Sequence, residues 1–181
     1  MNIKSELQEH FQLYFPDELI NDLVKRGVST VEGAVKVIKD DYIKKVYKYI
    51  LNDYRLVDSF GSVRFKGSIL IIEPDQNLYS NGVVVNFEDY LGFGAIDSLF
   101  KAIKTELNKD IEIYHYGSAA VKNIISGFDT SVSSESKVLT IIGIKDENGT
   151  IYFGIGESSN ALRSAVDALL SAINRMSKLK E

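Results

Sequence analysis

The chain has 181 residues, 25 acidic and 21 basic, for a formal net charge of −4. That length suits one domain, or one domain with a small appendage, and falls short of a (β/α)8 barrel, which needs about 250 residues. There is no Cys, and His10 and His115 stand far apart. Disulfide scaffolds, thiol nucleophiles, Cys-ligated zinc and local His pairs for a metal are therefore disfavoured. The mild acidic excess gives no footprint for nucleic acid. No run approaches about 18 apolar residues, and the start lacks the apolar core of a signal peptide. The expectation is a soluble, cytoplasmic protein with no cofactor, no metal and no membrane or nucleic-acid partner.

The first third reads as helices. Ser5 and Gln8 have capping-box spacing, and Leu7, Phe11, Tyr14 and Phe15 follow at helical intervals. Pro16 at a first helical position, with Asp17 and Glu18 behind it, starts a second helix that Gly27 ends. Ser29 and Glu32 form another capping-box pair. Behind them Val31, Ala34, Val35, Ile38, Tyr42, Val46, Tyr47 and Ile50 keep a helical period, which predicts a third helix of about six turns.

The texture changes between Asn52 and Leu56, which divides the chain into a helical segment, 1–53, and a mixed region, 54–181. Ser62–Ile72 reads as a strand, closed by a turn at Glu73–Asn77. Asn81-Gly82 marks a bend before a return strand from Val83. Gly92-Phe93-Gly94 then leads into a helix striped by Ile96, Leu99, Phe100, Ile103 and Leu107. Ile111–Val121 is a strand, residues 123–136 a serine-rich loop, and Lys137–Lys145 a further strand. Asn148-Gly149 is a hairpin signal, and the strand after it runs to a second glycine pair, Gly154-Ile155-Gly156. A last helix carries Leu162, Ala165, Val166, Leu169, Ala172, Ile173 and Met176 on one stripe. The recurrence predicts an α+β fold of two β-β-α units, an internal duplication preceded by the helical segment.

The glycine pairs lack the third glycine of a dinucleotide fingerprint and the Gly-Lys-Ser/Thr of a phosphate loop. They are either tight strand-to-helix turns and nothing more, or turns that take positive φ and aim free N–H groups at a small carboxylate. In Tyr114–Ala120, alternation puts Tyr114, Tyr116, Ser118 and Ala120 on one face and His115 and Ala119 on the other. The small residues either leave room for a ligand or let a helix pack closely. His115 has no local acid or nucleophile beside it and reads as a surface or half-buried histidine and not a catalytic one.

Three motifs in order resemble the C-terminal regulatory (dimerisation) domain of 2-isopropylmalate synthase, shared with citramalate synthase. They are Gly92-Phe93-Gly94-Ala95-Ile96-Asp97-Ser98 before the first helix, the strand Tyr114–Ala120, and Gly154-Ile155-Gly156 with the helix Ser164–Arg175, which ends in Asn174-Arg175. Ala95 replaces the family's usual proline at that turn. The resemblance covers about 54–176. It implies a domain that is not itself an enzyme, lacks the catalytic barrel with its metal-binding histidines, pairs as a homodimer, and binds a branched-chain amino acid (leucine or isoleucine) in feedback control of leucine biosynthesis. The positions that match the effector site are Gly92, Gly94, Ile96, Ile113, Tyr116 and Ala120. Backbone N–H groups around Gly92–Gly94 would face the carboxylate, Ile96, Ile113 and Ala120 would line the aliphatic pocket, and Asp97 would hold the ammonium group. The alternative is an assembly module that dimerises or docks on a separate catalytic synthase subunit without binding a small ligand.

Overall fold

The computed structural model of the chain describes residues 2–43, 48–59, 61–72, 82–121 and 137–179. Helices α1 (Ile3–Phe11), α2 (Asp17–Lys25) and α3 (Val31–Val37) come first, and a π-helical stretch (Ile38–Ile43) continues α3. Then β1 (Tyr49–Ser59), β2 (Ser62–Ile71) and β3 (Val83–Gly92) form one antiparallel meander, followed by α4 (Ala95–Glu106). The same order recurs in β4 (Ile111–Val121), β5 (Lys137–Asp146), β6 (Ile151–Ser158) and α5 (Ala161–Leu179). The fold is α+β, with a helical segment ahead of two repeated units, each a three-stranded sheet with its helix.

Several details differ from the sequence reading. The third helix ends far earlier than its period predicts, because Tyr49 and Ile50 belong to β1. Tyr49 and Leu51 face the core, and after a bulge between Leu51 and Asp53 so do Tyr54 and Leu56. The apolar residues near the end of that run satisfy both periods, and pairing with β2 decides for the strand. The caps also move. Asn2, not Ser5, accepts a hydrogen bond at the start of α1, from Lys4 N–H at 3.1 Å. Thr30, not Ser29, does so for α3, from Gly33 N–H at 3.1 Å. The expected turn at Glu73–Asn77, Asn81, and the loop 123–136 lie outside the described residues.

Gly154 and Gly156 sit inside β6 and not in a strand-to-helix turn. Their task is packing. A Cβ at Gly154 would stand 2.0 Å from Ala168 O, and one at Gly156 would stand 1.9 Å from Ser164 O. The α5 backbone therefore lies directly on β6, with Ala165, Ala168 and Ala172 as its own small residues. The Ser164 hydroxyl, fully buried, lies 2.9 Å from the Gly156 carbonyl oxygen and 2.8 Å from the Thr140 hydroxyl.

Two cores result. The inner one joins α4, α5 and the inward faces of both sheets, with Phe65, Ile69, Phe87, Leu99, Ile103, Ile142, Ile144 and Leu169 at its centre. The second lies on the opposite face of the β4–β5–β6 sheet. There Leu139, Ile141, Phe153 and Ile155 pack against Leu7, Phe11, Phe15, Leu19, Leu23 and Ile38 of the helical segment. That sheet is covered on both sides, which explains why β5 is apolar almost throughout and not alternating.

Candidate functional site

The expected site residues fall into two groups. The first surrounds the start of α4. Gly92 closes β3 and is buried, with Ser98 N only 2.4 Å from where a Cβ would stand. Glycine is thus required here by close approach of backbone to helix. Gly94 is the N-cap of α4, with φ −166° and ψ 171° and open space around it. That extended conformation suits any residue, so the positive φ expected of this turn is absent at Gly94. No side chain caps α4, whereas Asn160 Oδ1 accepts from Arg163 N–H at 3.0 Å at the start of α5. The first-turn N–H groups of α4 thus have no side-chain acceptor from the cap residue, and the acid nearest the positive end of its dipole is Asp97 in that turn. Ile96 is half-buried against the inner core, and Phe93, 91% exposed, projects beside the turn.

Asp97 is already engaged. Its Oδ2 accepts from Phe93 N–H at 2.9 Å and from Lys101 Nζ at 2.8 Å. The Lys101 hydrogen bond, helped by the Phe93 N–H, holds its carboxyl below the usual carboxylate value. Asp97 therefore ties the turn to the helix, and the Phe93 N–H is spent on it.

The second group lies on β4, one edge strand of the other unit. Ile113, Tyr116 and Ala120 pair with Ile144, Ile142 and Val138 of β5, on the sheet face that α5 covers. Yet α5 lies over β5 and β6, and Ile113 and Tyr116 stay 39% and 53% exposed, with Ala120 exposed as well. Tyr114 does not share their face. It is the extra residue of a bulge between Ile113 and His115, and its hydroxyl donates to Glu18 Oε1 at 2.8 Å on the helical-segment side. His115 points the same way, its ring 5.9 Å from that of Tyr14; burial pushes its pKa down. The turn group thus belongs to the first unit and the strand group to the second.

Asn174 and Arg175, quoted from the sequence only as part of a motif, prove to be the joint of the molecule. Asn174 Oδ1 accepts from Lys48 N–H at 2.9 Å and from Tyr49 N–H at 2.7 Å, while its Nδ2 donates to Tyr49 O at 2.9 Å. Arg175 reaches the other way, donating to Asp41 O at 3.2 Å and Asp22 Oδ2 at 3.3 Å, with its guanidinium 3.9 Å from the Tyr42 ring centroid. The Tyr42 hydroxyl donates to Asp22, and burial together with that bond pushes its pKa far up. One visible signal for this joint was a polar pair between Ile173 and Met176 on an otherwise apolar stripe.

Among the described residues no three His, Asp or Glu side chains gather as a metal site, and no helix is long and apolar enough to cross a membrane. Taken with the repeated sheets and their helices, the start of α4 and the exposed strand of the second unit define the class: a duplicated α+β domain with one helix start that no side chain caps and one exposed edge strand. The chain belongs to the LeuA allosteric (dimerisation) domain family, which matches residues 30–177. Its relatives include the 2-isopropylmalate synthase of Clostridium acetobutylicum, 26% identical over 149 residues, covering 82% of this chain and 24% of the relative. The 2-isopropylmalate synthases of Acetoanaerobium sticklandii and Helicobacter hepaticus are 23% and 22% identical over 178 residues each, which is 29% of either relative. The chain spans about a quarter of the length of the curated relatives it matches.

Proposed function

We propose that this chain regulates a 2-isopropylmalate synthase-type enzyme by binding a branched-chain amino acid, leucine or isoleucine, and that it does so as a homodimer in the cytoplasm. It is not catalytic by itself; the acyl-transfer chemistry belongs to a catalytic partner, whether a separate subunit or another part of the same enzyme. The observation that carries the reading is the start of α4: a helix N-terminus with no side-chain cap, open space at Gly94, and an exposed apolar residue beside it. First-turn N–H groups take the effector carboxylate. Ile96 offers one aliphatic wall, and Ile113, Tyr116 and Ala120 supply the other from the exposed face of β4. Because the two groups sit on different units, a second copy closes the site and covers Leu91, Phe93 and Tyr116, each more than half exposed. Asp97 receives the ammonium group only by exchanging Lys101 for it.

Calorimetric titration of the full chain with leucine, isoleucine and valine at millimolar concentration, alongside light scattering, tests this. Saturable heat in a dimer supports the reading. A dimer with no heat for any of the three leaves the assembly module, docking on a catalytic subunit without a small ligand, as the function.

A further inference from the structure

Three hydroxyls run in line across the second sheet: Ser118 on β4, Thr140 on β5 and Ser164 at the start of α5. Ser164 and Thr140 are fully buried, while Ser118 opens on the exposed face of β4 between Tyr116 and Ala120. Those two neighbours stand about 7 Å from it along the strand, one on either side. Such a line of hydroxyls has a sense, because each carries a single proton. Ser164 Oγ lies 3.0 Å from Val138 O, 2.9 Å from Gly156 O and 2.8 Å from Thr140 Oγ1. Two of these three neighbours are carbonyls, which only accept. The Ser164 proton therefore goes to a carbonyl, and Thr140 donates to Ser164. Thr140 then has no proton for Ser118, so Ser118 donates inward to it across 3.1 Å. The reverse sense would leave the Ser164 oxygen facing two carbonyl oxygens with no proton toward either. Ser118 keeps only lone pairs for the open face.

We infer, on the reading that β4 lines the effector site, that Ser118 receives the ammonium group of the effector while Thr140 and Ser164 fix the sense of its hydroxyl. The acid expected for that task, Asp97, is already held by the Phe93 N–H and by Lys101. An ammonium can only donate, and a hydroxyl whose proton is held inward can only accept. A hydroxyl free to turn would serve a carboxylate as readily. Ser118 thereby separates amino acids from carboxylic acids of the same skeleton.

Amide resonances of the full chain are followed during titration with leucine and with 4-methylpentanoate, the same skeleton without the amine. Ser118→Ala, on the exposed strand face, is expected to weaken leucine by about tenfold or more, the loss of a charge-assisted bond. It should leave 4-methylpentanoate unchanged. Thr140→Val keeps Ser118 but lets its hydroxyl turn, and should narrow the preference for leucine over 4-methylpentanoate by several-fold. Leucine binding that Ser118→Ala leaves unaltered overturns the role of Ser118 and spares the effector site. Equal weakening of both ligands overturns it as well, since a packing defect does not distinguish them. No leucine shifts in the wild type overturn the effector reading itself, and Ser118 with it.

Discussion

Tyr49 and Asn174 are paired as two strand residues would be: Tyr49 N–H donates to Asn174 Oδ1 at 2.7 Å, and Asn174 Nδ2 donates back to Tyr49 O at 2.9 Å. A side chain of α5 thus supplies the ladder that the first residue of β1 lacks on that edge. Both residues are buried, 4% and 3% exposed, so water cannot take over the bonds.

Asn174→Ala should accordingly cost roughly 2–4 kcal/mol, since it strands buried backbone groups worth about 1–3 kcal/mol each. Urea unfolding of the variant checks this. A loss below about 0.5 kcal/mol, the usual scatter of surface substitutions, would mean the joint is slack.

The glycines separate by substitution. Gly156→Ala drives a Cβ onto Ser164 O and should destabilise by about 2–3 kcal/mol or prevent folding, because neither backbone can give way cheaply. Gly94→Ala meets nothing and keeps an ordinary extended backbone, so its cost should stay within about 1 kcal/mol, that of an N-cap change. Thermal melts of the two variants measured together decide the ordering.

The proposed effector site makes a different demand on Gly94. Gly94→Val should leave the far-ultraviolet spectrum and the dimer intact yet weaken amino-acid binding by about tenfold to a hundredfold, as lost charge-assisted bonds do. Ala120→Leu, on the exposed strand, should do the same by filling the aliphatic wall. If calorimetry finds wild-type affinity in both folded variants, the effector sits elsewhere.

Glu157 gives a pH dependence. It stands near the end of β6, facing Lys137 at 3.9 Å and the field of Lys39 of the π-helical stretch. Burial raises its carboxyl above the usual value in spite of these lysines. The folded state then holds the proton to higher pH than the unfolded chain. Stability from this group is greatest in acid, falls as pH rises through the window between the two values, and stays low above it. Glu157→Gln should therefore raise Tm at pH 8, with the gain vanishing below about pH 4, where the carboxyl is protonated in both states. Parallel melts at the two pH values are the check.

Much of this architecture was legible along the chain because helix and strand periods rarely coincide. The stripes of α4 and α5 and the full extent of β4 needed no tertiary information. Where the periods do coincide, local reasoning failed: Tyr42, Val46 and Ile50 continue a helical stripe, and only pairing with β2 makes Tyr49 and Ile50 strand. Single inserted residues were equally invisible. The bulge at Tyr114 turned one tyrosine to the opposite face, and no composition signal announces an extra residue in a strand. Of the candidate site, the motif at Gly92–Ser98 was readable, but that Asp97 is spent on Phe93 and Lys101 is a matter of rotamer and distance.

The helical segment's seat on the second sheet also limits how this domain can be transplanted. A graft that carried only the two repeated units to another protein would bare Leu139, Ile141, Phe153 and Ile155 at once, a greasy sheet face that invites self-association. It would also leave the Arg175 guanidinium without Asp41 and Asp22. Any recombination that keeps this face covered has to move the first 43 residues with it, so the helices and the second unit are inherited as one piece.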